Sequence, residues 1–233
     1  MKKQKKNYKK IISKKNKIIN LLLFLMILSI FTNIYLFSKK NKTITKNIYK
    51  YRLDENIVFF GDSLTYRYDL NKYFEKKIIN SGINANISID LVNRIEDDVY
   101  RYNPSKVVIL IGINDLNRNH SEKELLSNTK KIIKGIKKNR RFSEIYVQSL
   151  YPVNHNKMDD IDYDFSRDFD NEDIINYNKK LKNLCKKEKV TYINMFDILK
   201  DDDNNLKEEY TVDGLHLSDE GYQAISKVLS KYI

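Results

Sequence analysis

Three short stretches of this sequence carry the residue types that acyl-transfer chemistry requires: Gly61-Asp62-Ser63-Leu64, Gly112-Ile113-Asn114-Asp115 and Asp213-Gly214-Leu215-His216. The Ser63 hydroxyl can act as a nucleophile. The His216 imidazole can take its proton and return it to a leaving alcohol. Asp213, three residues earlier, can hold the other imidazole nitrogen, and Asn114 offers a side-chain amide to a developing oxyanion. Each stretch alone has a plainer reading. Gly-Asp-Ser is an ordinary strand-to-helix turn with a cap, Asn-Asp and Asp-Gly are common turns, and a solitary histidine is more often structural. Together they are specific, because nucleophile, base, orienting acid and oxyanion donor are four separate requirements and all are met.

These residues need a scaffold that brings distant loops together. Apolar runs rich in Ile and Val stand at 57–60, 107–111, 145–150 and 190–193, with a weaker fifth candidate at 86–89. They are continuous and not alternating, as expected of strands covered on both faces of a parallel sheet. Between them, segments 68–78, 90–102, 121–138, 172–188 and 218–232 show apolar residues three and four apart and predict helices. Ser121 and Glu124 make a capping-box pattern at one start. Alternating strand and helix implies an open, doubly wound α/β sheet. Ligands bind such sheets beyond the carboxyl ends of the strands, where Ser63 and Asn114 follow their strands. A serine opening a helix there also gains from N–H groups aimed at developing negative charge. The acidic stretch 154–171 is expected to form a long loop at the same end.

A formal charge of +12 raises the question of nucleic acid, but its distribution argues otherwise. Residues 1–51 contain 14 lysines and no Arg, Asp or Glu, which leaves 29 basic against 31 acidic residues in the rest. The body is near neutral, and no nucleic-acid partner is expected. Residues 18–37 run without a charge and, at 1.5 Å per residue, are long enough to cross a bilayer. Ser29 and Thr32 interrupt this run, but their hydroxyls can bond back to the helix. Nine lysines precede it, so the cation bias places the N-terminus in the cytoplasm and the remainder outside. A cleaved signal peptide is the competing reading, against which stand the run's length and the absence of a small-x-small site in the following Phe-Ser-Lys-Lys-Asn-Lys.

The single cysteine, Cys185, excludes an intrachain disulfide and reads as an apolar core residue. His120 and His155 lack partners at metal-ligand spacing and read as surface residues, so no metal is expected. Gly61 has no companions to cradle a phosphate, so no nucleotide or other cofactor is expected.

The order and spacing of the three stretches resemble the SGNH hydrolase superfamily, the GDSL-like esterases and lipases. The resemblance spans about residues 55–232. Its first block corresponds to Phe60-Gly61-Asp62-Ser63-Leu64-Thr65, its second to Asn80-Ser81-Gly82-Ile83, its third to Gly112–Asp115 and its fifth to Asp213–His216. Gln148-Ser149-Leu150-Tyr151-Pro152, Tyr177-Asn178 and the run from His216 to Tyr222 are similar too. The resemblance implies a flavodoxin-like, five-stranded parallel sheet and a catalytic set of Ser63, His216 and Asp213. It further implies an oxyanion hole from Ser63, Gly82 and Asn114, the first two through backbone N–H groups. Asp62 and Asp115 are read as supporting residues that bond backbone N–H groups of nearby loops. Many relatives carry a further glycine after the second block, where this chain has Asn84-Ala85-Asn86.

The resulting expectation is a basic cytoplasmic tail (1–17), a single transmembrane anchor (18–37), a linker (38–53) and an extracytoplasmic hydrolase domain (54–233). The expected activity is hydrolysis of a small, acetyl-like ester on a carbohydrate or related small-molecule or polysaccharide substrate. Lysophospholipid or thioester hydrolysis, acyl transfer with the same triad, and an inactive membrane-anchored binding module are the alternatives.

Overall fold

The computed structural model describes residues 2–50, 54–160 and 169–233, and the chain divides into an N-terminal helical unit and a second unit that begins at Arg52.

The first unit is one helix, α1 (Lys2–Lys50). Within it, Asn20–Thr43 is long and apolar enough to cross a membrane, by length and composition, and its apolar side chains are exposed. The helix continues unbroken through Lys39, Lys40 and Lys42, which follow the charge-free run. Thr32 donates its hydroxyl to the Leu28 carbonyl (2.8 Å) and Thr43 to that of Lys39 (3.1 Å), so these polar groups are satisfied by the helix itself.

In the second unit, β1 (Asp54–Gly61) leads through α2 (Ser63–Tyr66) and α3 (Leu70–Tyr73) to β2 (Ile78–Gly82) and α4 (Ser88–Asp98). Then come β3 (Pro104–Leu110), α5 (Ile113–Asn117), α6 (Glu122–Asn139) and β4 (Glu144–Gln148). A 3-10 turn over His155–Asp160 precedes α7 (Asn171–Glu188), β5 (Thr191–Ile193), α8 (Phe196–Leu199) and α9 (Asp219–Leu229). The five strands are all parallel in the order β2-β1-β3-β4-β5. This is the doubly wound, flavodoxin-like order, with its switch point between β1 and β3. Val58, Phe60, Val107 and Ile109 are almost wholly buried, as continuous apolar strands require.

One strand differs from the sequence expectation. The second strand is Ile78–Gly82, whereas 86–89 form the loop into α4 and its first turn. The expected helix over 68–78 is reduced to Leu70–Tyr73 and ends in extended backbone at Phe74. The polar pair Asn80-Ser81 interrupts the apolar run and hides this edge strand. Those two side chains are used structurally: the Asn80 amide donates to the carbonyls of Thr65 (2.9 Å) and Tyr68 (3.1 Å), and the Ser81 hydroxyl donates to Asp98 (3.0 Å).

The other four expected helices form as α4, α6, α7 and α9, while the short α5 and α8 lie outside the expected segments. Ser121 caps α6 by accepting from the Glu124 N–H (3.2 Å), and Asp170 caps α7 through the N–H groups of Glu172 and Asp173. Cys185 is buried on α7, and burial raises its thiol pKa to about 12, which fits a core residue.

Candidate active site

Strand β1 ends at Gly61, and the chain turns at once into α2. Asp62 caps this short helix, its Oδ1 accepting from the Leu64 N–H (3.0 Å), and Ser63 is the first helical residue. The Ser63 N–H therefore lies among those a helix start leaves without an internal partner. Gly61 pairs with Leu110 in the register of β1 with β3, so Ser63 and Asn114 leave the same edge of adjacent strands.

The last functional loop lies between the 3-10 turn Glu208–Tyr210 and α9. The bridge Thr211↔Leu217 closes it. Thr211 Oγ1 donates to the His216 carbonyl (2.9 Å) and accepts from the N–H groups of Gly214 (2.7 Å) and Asp213 (3.3 Å). Gly214 has φ +85°, and a Cβ there would meet the Asn154 carbonyl at 2.4 Å, so a side chain is excluded on both counts. The Asn154 N–H donates to the Gly214 carbonyl (2.8 Å) and fastens the loop to the chain after β4.

This frame presents Asp213 and His216 to Ser63. Asp213 Oδ1 accepts from the backbone N–H groups of His216 (2.7 Å) and Leu215 (3.0 Å), while Oδ2 lies 2.6 Å from His216 Nδ1. His216 Nε2 lies 3.0 Å from Ser63 Oγ. A carboxylate at Nδ1 favours the tautomer that carries its proton there, which leaves Nε2 to accept from the hydroxyl. Burial pushes the Asp213 carboxyl up, but its bonds from the His216 side chain and backbone outweigh this and hold it below the ordinary value. The ring of His216 and the hydroxyl of Ser63 are both buried.

The loop after β2 supplies the opposite wall. Asn114 Nδ2 donates one hydrogen to the Asn86 carbonyl (2.9 Å), which orients the amide and leaves its second hydrogen for another acceptor. The Gly82 N–H, expected as a backbone oxyanion donor, donates to Asn80 Oδ1 (2.9 Å). Gly82 matters for close approach, because a Cβ there would lie 2.1 Å from the Tyr66 nitrogen. Ala85 has φ +61°, a backbone conformation that favours glycine.

The two aspartates read as supporting residues are both buried. Asp115 accepts from the Ser88 N–H (2.9 Å) and hydroxyl (2.5 Å) and so holds the start of α4. Burial raises its pKa against those bonds. Asp62 is fully buried; its Oδ2 has no partner among the described residues, and desolvation raises its pKa to about 7, with the charge of Asp115 adding to the rise. His120 lies 4.0 Å from Glu124, and the half-buried His155 packs edge-on against Phe169, a more enclosed setting than a surface position.

Sequence reasoning missed Thr211, Asn80 and Tyr222 as site supports. Thr211 precedes Asp213 by two residues, a spacing at which hydroxyls bind local backbone. Tyr222 donates to the Leu64 carbonyl (2.9 Å) and braces α2, a long-range contact with no local signal.

The GDSL-like lipase/acylhydrolase family model matches residues 59–224. Among solved structures, a Streptococcus pneumonia protein described as a candidate platelet activating factor is 35% identical, with a TM-score of 0.71, covering 77% of this chain and 84% of that one. The acetylxylan esterase Axe2 from Geobacillus stearothermophilus shares the fold at 17% identity, with a TM-score of 0.60 and coverage of 77% and 94%. A curated relative, the N-acylneuraminate cytidylyltransferase of Escherichia coli O18:K1:H7 (strain RS218 / NMEC), is 29% identical over 183 residues. That match covers 76% of this chain but only 40% of the relative, so the chain spans less than half its length. With the matched region taking in the end of β1, the other four strands and each of the three chemical stretches, the chain belongs to the GDSL-like lipase/acylhydrolase family.

Proposed function

We propose that this protein is a serine ester hydrolase that removes a small, acetyl-like acyl group from an extracytoplasmic carbohydrate or related ester. The observation that carries the reading is the continuous hydrogen-bonded line from Asp213 Oδ2 through His216 to Ser63 Oγ. In the first step Ser63 Oγ attacks the ester carbonyl carbon as His216 Nε2 takes the hydroxyl proton. The carbonyl oxygen becomes an oxyanion, received by the Ser63 N–H and the free hydrogen of Asn114 Nδ2. The tetrahedral intermediate collapses, the C–O bond to the alcohol breaks, and His216 returns the proton to the departing alkoxide. Water then attacks the acyl-serine carbonyl carbon as His216 takes its proton, the bond from that carbon to Ser63 Oγ breaks to release the acid, and His216 returns the proton to Oγ. Asp213 stabilises the imidazolium in both halves.

Preference for a small acyl group on a carbohydrate draws support from the acetylxylan esterases that share the fold. It also fits α1 acting as a single-pass anchor over residues 18–37, its lysine-rich start in the cytoplasm and the catalytic unit, joined through 38–53, outside.

The test is turnover of p-nitrophenyl esters from two to sixteen carbons by the full chain. The expected result is hydrolysis favouring short acyl groups, reduced more than about a hundredfold in Ser63→Ala and His216→Ala. Unchanged rates in either variant would refute the assignment. A preference for long chains would replace the small-acyl reading with lysophospholipid hydrolysis.

A further inference from the structure

We propose that Arg94 is a positioning residue for the oxyanion side of the site, clamping the ends of β1 and β2 to the loop that holds Asn114. The inference rests on the role given above to Ser63 and Asn114, and it concerns a residue with no motif around it.

Arg94 lies on α4 with most of its side chain enclosed. All three guanidinium nitrogens are engaged. Nη2 donates to the Gly61 carbonyl (2.8 Å), at the end of β1 and two residues before Ser63. Nη1 donates to the Ser81 carbonyl (3.0 Å) on β2 and to Asp98 Oδ2 (2.5 Å), one turn along its own helix. Nε donates to Asn86 Oδ1 (2.7 Å). The group also lies over the Phe60 ring, 4.6 Å from its centroid.

Asn86 links this clamp to the chemistry. Arg94 fixes its side chain, and its backbone carbonyl accepts from Asn114 Nδ2, so the direction of the Asn114 amide depends on where Asn86 is held. The Gly61 carbonyl likewise accepts from both Arg94 and the Ile83 N–H (3.1 Å), tying the strand before the nucleophile to the start of the same loop. One planar fork thus sets the spacing between the backbone that carries Ser63 and the loop that aims Asn114. Lysine can keep the charge but cannot meet these acceptors in one plane. A misaimed donor weakens transition-state binding more than ground-state binding, so the expected loss falls on kcat.

The experiment uses the full chain with p-nitrophenyl acetate, comparing Arg94→Lys, Asn86→Ala and the double variant, alongside NMR of the Asn114 side-chain amide. Asn86 is partly exposed, so its truncation spares the core. Each single variant should lose about tenfold or more in kcat with KM within about twofold. The double variant should be no worse than the poorer single, because both cut one link. The Asn114 amide resonance should shift in Arg94→Lys. Wild-type kcat in Asn86→Ala, or losses that multiply in the double variant, would overturn the clamp. An inert wild-type chain would instead remove the hydrolase reading, and the NMR comparison would still decide on Arg94: an unmoved Asn114 resonance overturns the proposal.

Discussion

Ser63 and His216 are 153 residues apart in the chain, yet His216 Nε2 lies 3.0 Å from Ser63 Oγ. The contact depends on Asp213, which both orients the ring through Nδ1 and accepts the His216 backbone N–H. Asparagine at 213 keeps the shape but gives up the charge, and its amide can present a hydrogen to Nδ1 and impose the wrong tautomer. Esterase kcat in Asp213→Asn should fall by about three to four orders of magnitude, measured with a short-chain chromogenic ester. Retention of more than a tenth of the wild-type rate would show that the carboxylate is dispensable.

Asp62 makes a prediction about stability. Its carboxyl is fully buried and its pKa is raised to about 7, first by desolvation. A raised carboxyl pKa means the folded state keeps a proton that the unfolded chain, titrating near 3.9, has already released. Folding stability from this group is therefore fully present below about pH 4 and declines as pH rises toward 7, by up to about 4 kcal/mol. Urea titrations across that range should show the decline in the wild-type chain and a flatter profile in Asp62→Asn. Equal slopes in the two proteins would mean that Asp62 is ionised in the fold.

Gly82 yields a steric prediction. A Cβ there would lie 2.1 Å from the Tyr66 nitrogen and 2.6 Å from the Thr65 carbonyl carbon, and both are backbone atoms of α2 that cannot rotate aside. Gly82→Ala should cost about 1–3 kcal/mol or more in denaturant unfolding and lower esterase activity by displacing Ser63. A variant of wild-type stability and rate would show that β2 and α2 can separate without consequence.

How much of this was legible in the sequence follows from where each signal sits. Strands β1, β3 and β4 lie inside the sheet and announce themselves as apolar runs, while β5, three residues at one edge, was legible through Val190 and Ile193. Strand β2 lies at the other edge, and Asn80 and Ser81 serve neighbouring carbonyls, so its polarity disguised it as a helix end and a loop. The site residues were readable because acyl-transfer chemistry restricts their types and because Asp213 and His216 share one short loop. Tyr222 and Arg94 were not, since their partners come from the fold: Tyr222 meets the Leu64 carbonyl 158 residues away. Gly82 shows the limit of motif transfer. The motif singles out the glycine, but which way its N–H is spent depends on the Asn80 side chain.

Ala85 tests whether the oxyanion loop holds its shape against local preference. Its φ of +61° is unfavourable for a residue with a Cβ, by roughly 1–2 kcal/mol, and its carbonyl accepts from Arg118 Nη2 (3.1 Å). Asn114, Asp115 and Arg94 hold the residues that follow it through Asn86 and Ser88, and these bonds maintain the strained turn. Glycine would relieve the strain while adding about 0.4–1 kcal/mol of unfolded-state entropy to overcome. Ala85→Gly should therefore raise stability by up to about 1 kcal/mol in denaturant unfolding with kcat unchanged, because the surrounding bonds already fix the loop. A loss of stability would show that residue 85 leaves the left-handed region in solution. A fall in kcat with stability intact would show that the alanine side chain, and not the bonds around it, sets the loop that aims Asn114.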